Sequence, residues 1–275
     1  MSATYDPAWI RDHYDVYGDR EWTRWEESPV ERVKFLVHRE ILREFVQAGD
    51  RVLEIGAGAG RFTREMAALG CRVVVTDISR VQLQLNRLHA TSDDFVGAVE
   101  SWIECDVCEL DRQVDGGAFD VVVCYGGPLS YALDRRADAL RQMARAVRPG
   151  GRVLLGVMSL WGTAHQYLAG VLRVDVDANR ELLASGDLLP ERVGSGVQRC
   201  HMFRVDELRD LVESVGLTIE CLSASDCLSV GWAEQLSTLG EESEAWRHLL
   251  EMEIEACREP GCAGMGSHII AVARR

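Results

Sequence analysis

The sequence predicts an α/β fold built on a parallel, doubly wound sheet, and three observations support that prediction. Apolar runs alternate with helical patterns from residue 51 to residue 158, and the runs are continuous, as in strands that a parallel sheet buries on both faces. The first run, 52–55, stops in glycines at 56, 58 and 60, and a helical pattern follows at once. Hydrophobic residues make up 47% of the 275 residues, enough to bury a full core.

The predicted elements follow one another in a regular order. Apolar runs predict strands at 52–55, 71–76, 99–105 and 119–124, and a fifth strand begins after the turn at 149–151. Helical patterns lie between them at 61–69, 79–90 and 135–147. A helix at 205–216, a sixth strand at 217–222 and a last strand at 267–273 complete the predicted sheet.

The glycine turn is typical of a nucleotide-type site. Glycine lets the backbone approach a ligand closely, and the helix that follows offers free N–H groups at its N-terminus. Dinucleotide-binding turns have the pattern G-x-G-x-x-G, but the sixth position counted from Gly56 is Arg61. The segment E-I-G-A-G-A-G, from Glu54 to Gly60, resembles instead the class I S-adenosylmethionine-dependent methyltransferases, and the resemblance covers residues 51–157 well.

The resemblance implies an architecture and a cofactor. The sheet is expected to have seven strands, mostly parallel, with an antiparallel last strand, and to carry an N-terminal helical cap and lid insertions. The cofactor is expected to be S-adenosylmethionine, with S-adenosylhomocysteine as product. We expect one methyltransferase domain over 1–275, divided into a helical cap (1–50), a cofactor-binding core (51–158), a lid insertion (159–205) and a C-terminal part of the sheet with a helical insertion (206–275).

The expected cofactor contacts follow the same resemblance. Asp77 ends the second predicted strand, where a carboxylate can accept two hydrogen bonds from a ribose diol. The glycine turn with Ala57 is expected to hold the methionine part, Glu54 to orient its amino group, and Asp106 with Val107 to recognise the adenine. The remaining expected contacts are Ile78 and Gln82 at the adenine, carbonyl groups at Cys124, Tyr125 and Gly126 for the ammonium, and Arg61, Tyr17 or Trp22 for the carboxylate.

The acceptor is expected to lie between the aromatic N-terminal segment, the loop 125–131 and the lid insertion. A phenol or a protonated amine must lose a proton before or during attack, and an unperturbed phenol titrates near 10. In the family the loop after strand four borders the transferred methyl, which singles out Tyr131. Side chains that could face the methyl are Tyr131, Tyr14, His13, His165 and His201. The family's Asn/Asp-Pro-Pro-Tyr/Phe signature is absent, which argues against planar amide targets. We expect a small organic acceptor from specialised metabolism, and Trp161, His165 and Tyr167 of the lid insertion suggest an aromatic one.

Composition excludes several partners. The formal net charge is −14, and Lys34 is the only lysine among 30 Lys and Arg residues, so no basic stripe exists for a nucleic acid. No 18-residue apolar stretch or secretory pattern is present, which predicts a cytoplasmic protein with no membrane partner. The nine cysteines are an odd number and several lie in predicted strands, as expected of reduced thiols. Cys105 and Cys108 have metal-like spacing but no second pair at a suitable distance, so no metal is expected.

Two other functions stay open at this stage. A nicotinamide-dependent oxidoreductase could use the same sheet architecture, although its Tyr-x-x-x-Lys pair is impossible because the one lysine precedes the glycine turn. A non-catalytic, cofactor-binding partner protein could also keep this fold. The sequence leaves the oligomeric state, the acceptor atom and the need for a base undetermined.

Overall fold

The computed structural model describes residues 3–194 and 197–275. Seven of its strands form one sheet, and two short strands form a separate pair within the lid insertion. The strands are β1 (Arg51–Ile55), β2 (Arg72–Asp77), β3 (Val99–Glu104), β4 (Phe119–Cys124), β5 (Val147–Met158), β6 (Asp187–Leu188), β7 (Cys200–His201), β8 (Thr218–Ala224) and β9 (His268–Arg274).

The large sheet has the order β3-β2-β1-β4-β5-β9-β8. Strands β1 to β5 pair in parallel, whereas β9 is antiparallel to both of its neighbours, β5 and β8. The predicted seven-stranded, mostly parallel sheet with an antiparallel last strand is therefore confirmed. The strand order reverses between β1 and β4, and the crevice at such a reversal is where open α/β sheets bind ligands.

Helices cover both faces of the sheet and its carboxyl edge. They are α1 (Pro7–Tyr17), α2 (Arg20–Thr23), α3 (Pro29–Phe45), α4 (Arg61–Ala68), α5 (Arg80–Ser92), α6 (Pro128–Tyr131), α7 (Arg136–Ala146), α8 (Leu160–Gln166), α9 (Leu168–Val171), α10 (Val176–Ser185), α11 (Pro190–Val193), α12 (Val205–Ser214), α13 (Ala233–Leu236) and α14 (Glu244–Arg258). Short 3₁₀ helices add Arg24–Glu26, Val96–Ala98, Val107–Arg112 and Leu133–Arg135.

Sequence-coded caps fix where the N-terminal helices begin. The side chain of Asp6 accepts the N–H groups of Ala8 and Trp9 at the start of α1, and Ser28 accepts the N–H of Glu31 at the start of α3. Pro29 then occupies the first turn of α3, where its missing N–H costs nothing. α3 packs on the sheet, whereas α1 lies against α5 and buries Ile10 beside Tyr131.

Two apolar layers hold the helices on the sheet, one on each face. Neighbouring residues of a strand point to opposite faces, so Val52 packs under α3 and α4 while Leu53 packs under α7. Both side chains are fully buried. Because both faces of these parallel strands are buried, their sequences consist of uninterrupted apolar residues.

The insertions differ in detail from the sequence expectations. The helical insertion expected within 206–275 forms two helices, α13 and α14, and the lid insertion folds into α8 to α11 with the β6–β7 pair. The sequence Gly194-Ser195-Gly196 predicts a turn in the lid insertion. Residues 195 and 196 of this turn lie outside the described residues. The division of the chain into cap, core, lid and C-terminal part stays a prediction. Within the described ranges, every helix is too short or too polar to cross a membrane.

We expect Gly162→Ala to destabilise the protein. A Cβ at Gly162 in α8 would overlap the backbone carbonyl of Gly266, which cannot move like a side chain. Overpacking of this kind costs roughly 1–3 kcal/mol of unfolding free energy. Thermal unfolding followed by circular dichroism measures the effect. Gly170→Ala in α9 is the control, because a Cβ there meets nothing within 4 Å; equal melting temperatures for the two variants would contradict the prediction.

Candidate functional site

A cleft of about 590 Å³ opens above the carboxyl ends of β1, β2 and β4. A second cavity of about 330 Å³ adjoins it and shares Glu21, Ile55, Gly56 and Gly126 with it. The larger cleft is lined by Tyr5, Ile10, Tyr14, Glu21, Ile55, Gly56, Gly58, Asp77, Ile78, Cys105, Val107, Gly126, Pro128 and Tyr131. The smaller is lined by Glu21, Arg24, Trp25, Glu54, Ile55, Gly56, Ala57, Ala59, Gly60, Arg61, Phe62, Tyr125 and Gly126.

The glycine loop forms the floor between the two cavities. Gly56 and Gly58 have φ of +63° and +54°, a region that L side chains rarely adopt. A Cβ on Gly56 would also overlap the ring of Pro128, and one on Gly58 would lie 2.7 Å from Cγ of Glu21. Glycine is therefore required at both positions by backbone conformation and by space.

Asp77 joins the end of β2 to this loop. One carboxylate oxygen accepts the N–H of Gly58 at 2.9 Å and the other accepts the N–H of Ser79 at 2.8 Å. The side chain lines the larger cleft and is 7% exposed, and burial raises the pKa of Asp77 to about 6. Ile78 lines the cleft beside it, and its contact with an adenine stays a prediction.

Glu54 lies under the same loop and borders the smaller cavity. Its carboxylate accepts the hydroxyl of Thr63 at 2.5 Å, and its backbone carbonyl accepts the hydroxyl of Thr76 at 2.8 Å. Burial, with a smaller contribution from Asp77, raises the pKa of Glu54 to about 8. In the part of the chain that the structure describes, neither acid forms an ion pair, so a cationic ligand at the loop would favour ionisation of both.

Two arginines line the smaller cavity. Arg61, an expected carboxylate donor, is 5% exposed and binds Glu26 at 2.9 Å. Arg24 forms an ion pair with Glu21 at 2.8 Å and lies over the ring of Trp25 at 3.8 Å. No local sequence pattern identifies Arg24, because only the packing of α2 over the glycine loop brings it to the cavity.

Several expected cofactor contacts do not line either cavity. Trp22 stacks on His89 with ring centroids 3.9 Å apart, and Tyr17 stacks on His13. The amide nitrogen of Gln82 donates to the carbonyls of Tyr14 and Gly18, each at 2.9 Å, and so anchors the end of α1 rather than facing the cleft. Cys124 is fully buried below the surface of the cleft.

Asp106 is already hydrogen-bonded at the expected adenine position. One of its oxygens accepts the hydroxyl of Tyr5 at 2.8 Å and the N–H of Cys108 at 2.8 Å. Its neighbours Cys105 and Val107 line the cleft, and so does Tyr5. The N-terminal segment therefore closes this end of the cleft through Tyr5, a residue that the sequence does not single out.

Two of the five acceptor-side candidates reach the cleft. Tyr14 and Tyr131 both line it, and the Tyr14 hydroxyl donates to that of Tyr131 at 2.8 Å. The Tyr131 hydroxyl in turn donates to Gln198 at 2.9 Å. Burial raises the pKa of both phenols well above the usual value, so both stay protonated and act as hydrogen-bond donors near neutral pH.

The three candidate histidines lie elsewhere, which corrects the expectation that they face the methyl. His201 is 1% exposed, and its two ring nitrogens lie 2.7 Å from Asp187 and 2.7 Å from Glu207, so neither is available to an acceptor. His165 is exposed on α8, and His13 stacks between aromatic rings of α1 outside the cleft lining. Among the described residues, no group of three or more His, Cys, Asp or Glu side chains could hold a metal ion.

Comparison with known proteins agrees with this geometry. Residues 52–151 match the model of a family described as a methyltransferase domain. The matched segment contains the glycine loop and Asp77, and it is this part of the chain that is similar to methyltransferases. A curated relative, a ubiquinone biosynthesis O-methyltransferase of Aromatoleum aromaticum, is 31% identical over 160 residues, which are 58% of this chain and 65% of the relative. Because the match spans less than two thirds of that methyltransferase, the activity of the whole protein is proposed below rather than transferred.

Two solved structures share the fold. A chain of the complex between the Haloferax volcanii Trm112 methyltransferase activator and the putative methyltransferase superposes with a TM-score of 0.61 at 18% identity, covering 96% of both chains. The Burkholderia thailandensis 1,6-didemethyltoxoflavin-N1-methyltransferase, with bound 1,6-didemethyltoxoflavin and S-adenosylhomocysteine, superposes with a TM-score of 0.56 at 16% identity, covering 100% of this chain and 92% of that chain. At these identities the similarity concerns the fold alone.

We expect Glu54→Gln to flatten the pH dependence of stability. The pKa of Glu54 rises from 4.5 to about 8 in the folded protein, so folding retains a proton that the unfolded chain releases in this window. The contribution of Glu54 to stability is therefore greatest at low pH and falls as pH rises, by up to about 1.4 kcal/mol per pH unit. Urea unfolding of both proteins at several pH values measures the difference.

The matched control for this experiment is Glu244→Gln, which changes an exposed glutamate at the start of α14. Its unfolding free energy should follow the wild-type curve at every pH. A Glu54→Gln curve parallel to that of the wild type would show that Glu54 is ionised in the folded protein, contrary to its raised pKa.

Proposed function

We propose that this protein transfers a methyl group from S-adenosylmethionine to a small organic acceptor. The observation that supports the proposal most is the glycine loop between two buried acids, Glu54 and Asp77, that have no cationic partner in the described ranges. When bound, the cofactor supplies a methyl group on a positively charged sulfur, together with an ammonium group. The residues of the loop fit such a cation.

The roles proposed for individual residues follow their positions around the cleft. Asp77 would accept hydrogen bonds from the ribose, and Ile78 and Val107 would flank the adenine. Glu54 and the loop at Gly126 would lie near the ammonium group. Arg24 and Arg61, both at the smaller cavity, would bind the carboxylate.

The acceptor would lie beside Tyr14 and Tyr131, where both side chains line the larger cleft. Each hydroxyl already donates its one hydrogen, Tyr14 to Tyr131 and Tyr131 to Gln198, so their oxygens can accept a hydrogen bond from the acceptor and hold it in line for the transfer. Orientation of two reactants in this way is worth about 7–11 kcal/mol of the barrier. The main task of these residues is therefore alignment.

The nature of the acceptor is also part of the proposal. The net charge of −14 favours a small molecule over a nucleic acid, and the aromatic lining favours a ring-bearing compound. The Aromatoleum aromaticum relative is named for O-methylation in ubiquinone biosynthesis, which is consistent with such a compound. A cytoplasmic enzyme that methylates an intermediate of specialised metabolism fits these features.

We expect S-adenosylhomocysteine to bind the purified protein with micromolar affinity, and Asp77→Ala to weaken binding. Loss of charge-assisted hydrogen bonds to the ribose costs about 1.5–3 kcal/mol, or roughly 10- to 100-fold in affinity. Isothermal titration calorimetry measures the affinities, with NADH as the competing ligand. Asp177→Ala on α10 is the control, because Asp177 is exposed and pairs with Arg180.

Methyl transfer itself is then tested by incubating S-adenosylmethionine with hydroxylated aromatic acceptors and measuring the products by mass spectrometry. A methylated product is expected with the wild type and with Asp177→Ala. Absence of S-adenosylhomocysteine binding would overturn the proposed function and reopen both alternatives, and tighter binding of NADH would favour an oxidoreductase. Cofactor binding without transfer to any acceptor would favour a non-catalytic partner protein.

A further inference from the structure

An ion pair from the N-terminal helices lies over the glycine loop. Glu21 belongs to α2, and Arg24 begins the 3₁₀ helix that follows it. Nε of Arg24 donates to Oε1 of Glu21 at 2.8 Å, and the two side chains are 18% and 17% exposed. Glu21 lines both cavities, and Arg24 lines the smaller one. Ion pairs three residues apart commonly stabilise the exposed surface of a helix, whereas this pair faces the candidate site.

The carboxylate of Glu21 approaches the backbone of the loop closely. A Cβ placed on Gly58 would lie 2.7 Å from Cγ, 3.5 Å from Cδ and 3.6 Å from Oε1 of Glu21. Only a residue without a side chain leaves room for this approach. Glu21 therefore lies on the open side of the loop, whereas Glu54 lies beneath it and accepts the hydroxyl of Thr63.

Each member of the pair keeps polar atoms that no other residue engages within the described ranges. Oε1 is the one oxygen of Glu21 that accepts a hydrogen bond there, and Nε is the one side-chain nitrogen of Arg24 that donates one. Nη2 of Arg24 lies 3.7 Å from a Cβ placed on Gly126, which lines both cavities. Oε2 of Glu21 and the Nη atoms of Arg24 thus offer a negative and a positive edge to the same cavity.

Glu21 brings a third acid to the loop, beside Glu54 and Asp77. Burial raises the pKa of Glu21, although the charge of Arg24 acts in the opposite direction. Burial also raises the pKa of Asp77, and the charge of Glu21 adds to this effect. The guanidinium of Arg24 therefore compensates only in part for the buried negative charges, and a second cation above the loop would stabilise the ionised acids.

We propose that Glu21 binds the ammonium group of the cofactor's amino-acid end, while Arg24, paired with it, donates to the carboxylate of the same end. An α-amino acid carries both charges on one carbon, and the free edges of the ion pair offer the opposite charges side by side. This proposal rests on the proposed function. It assigns the ammonium to a residue outside the matched segment 52–151, and it gives a reason for a glutamate, rather than an apolar residue, above Gly58.

The test is a thermodynamic cycle that removes the two charges one at a time. Glu21→Gln keeps the size of the side chain and removes its charge. The matching ligand is the analogue of S-adenosylhomocysteine in which a hydrogen atom replaces the α-ammonium group. Isothermal titration calorimetry measures the affinity of both ligands for both proteins. Glu21→Gln should weaken binding of S-adenosylhomocysteine about tenfold more than it weakens binding of the analogue.

The matched control variant is Glu27→Gln. Glu27 lies on the same segment, but it is exposed, pairs with Arg20 and lines neither cavity. This variant should bind both ligands as the wild type does. Methylthioadenosine keeps the adenine, ribose and sulfur but lacks the amino-acid end. It should bind the wild type and Glu21→Gln equally well, which shows that the variant is folded.

Equal effects of Glu21→Gln on S-adenosylhomocysteine and on the analogue would overturn the assignment of Glu21. Tighter binding of S-adenosylhomocysteine to Glu21→Gln would overturn it as well, because Glu21 would then compete with the ligand's carboxylate for Arg24. In both cases the wild type binds S-adenosylhomocysteine, so the proposed function is intact. If neither S-adenosylhomocysteine nor methylthioadenosine binds the wild type, the proposed function fails and the assignment fails with it.

A comparison of ligands on the wild type decides the matter if Glu21→Gln does not fold. The analogue without the ammonium should then bind about tenfold more weakly than S-adenosylhomocysteine, because it leaves the Glu21 carboxylate without its cation. Equal affinities of the two ligands for the wild type would overturn the assignment.

Discussion

The hydrogen bonds from the backbone of Gly58 and Ser79 to the carboxylate of Asp77 connect two adjacent strands at the point where both end. They hold the loop after β1 against the loop after β2, and the hydroxyls of Thr63 and Thr76 fix Glu54 beneath it. The positive φ angles of the loop persist because these bonds determine its path. This junction holds the loop that lines both cavities, so contacts within the protein, without a ligand, determine the shape of the site.

Residues 51–158 could be predicted well because their structure is encoded locally. The strand expected at 119–124 forms with those bounds, and the glycine turn marks the site since only glycine suits its backbone conformation. Arg24 and Tyr5 reach the cleft from segments whose placement depends on tertiary packing, which no periodic pattern records. His201 was wrong as an acceptor-side candidate for the same reason, because its partners Asp187 and Glu207 are distant in sequence from the cofactor loop.

The two halves of the site have different origins in the chain. The family match, residues 52–151, contains Glu54, Asp77 and the loop that would hold the cofactor. Tyr14 and Arg24, by contrast, lie in the N-terminal segment outside the match and line the two cavities. Segments outside the match therefore surround the region proposed for the acceptor, so the match covers the cofactor side and does not specify the acceptor.

The position of β9 between β5 and β8 has a consequence for synthesis of the protein. While the chain emerges from the ribosome, β1 to β5 can each pair once they are made, with β4 beside β1, but one edge of β5 stays open until residues 268–274 have been made. An open apolar edge of this kind recruits other strands. A chain interrupted before residue 268 would keep the nascent cofactor loop yet lack the strand that closes β5. Truncated products are therefore expected to aggregate rather than persist in a partly folded form.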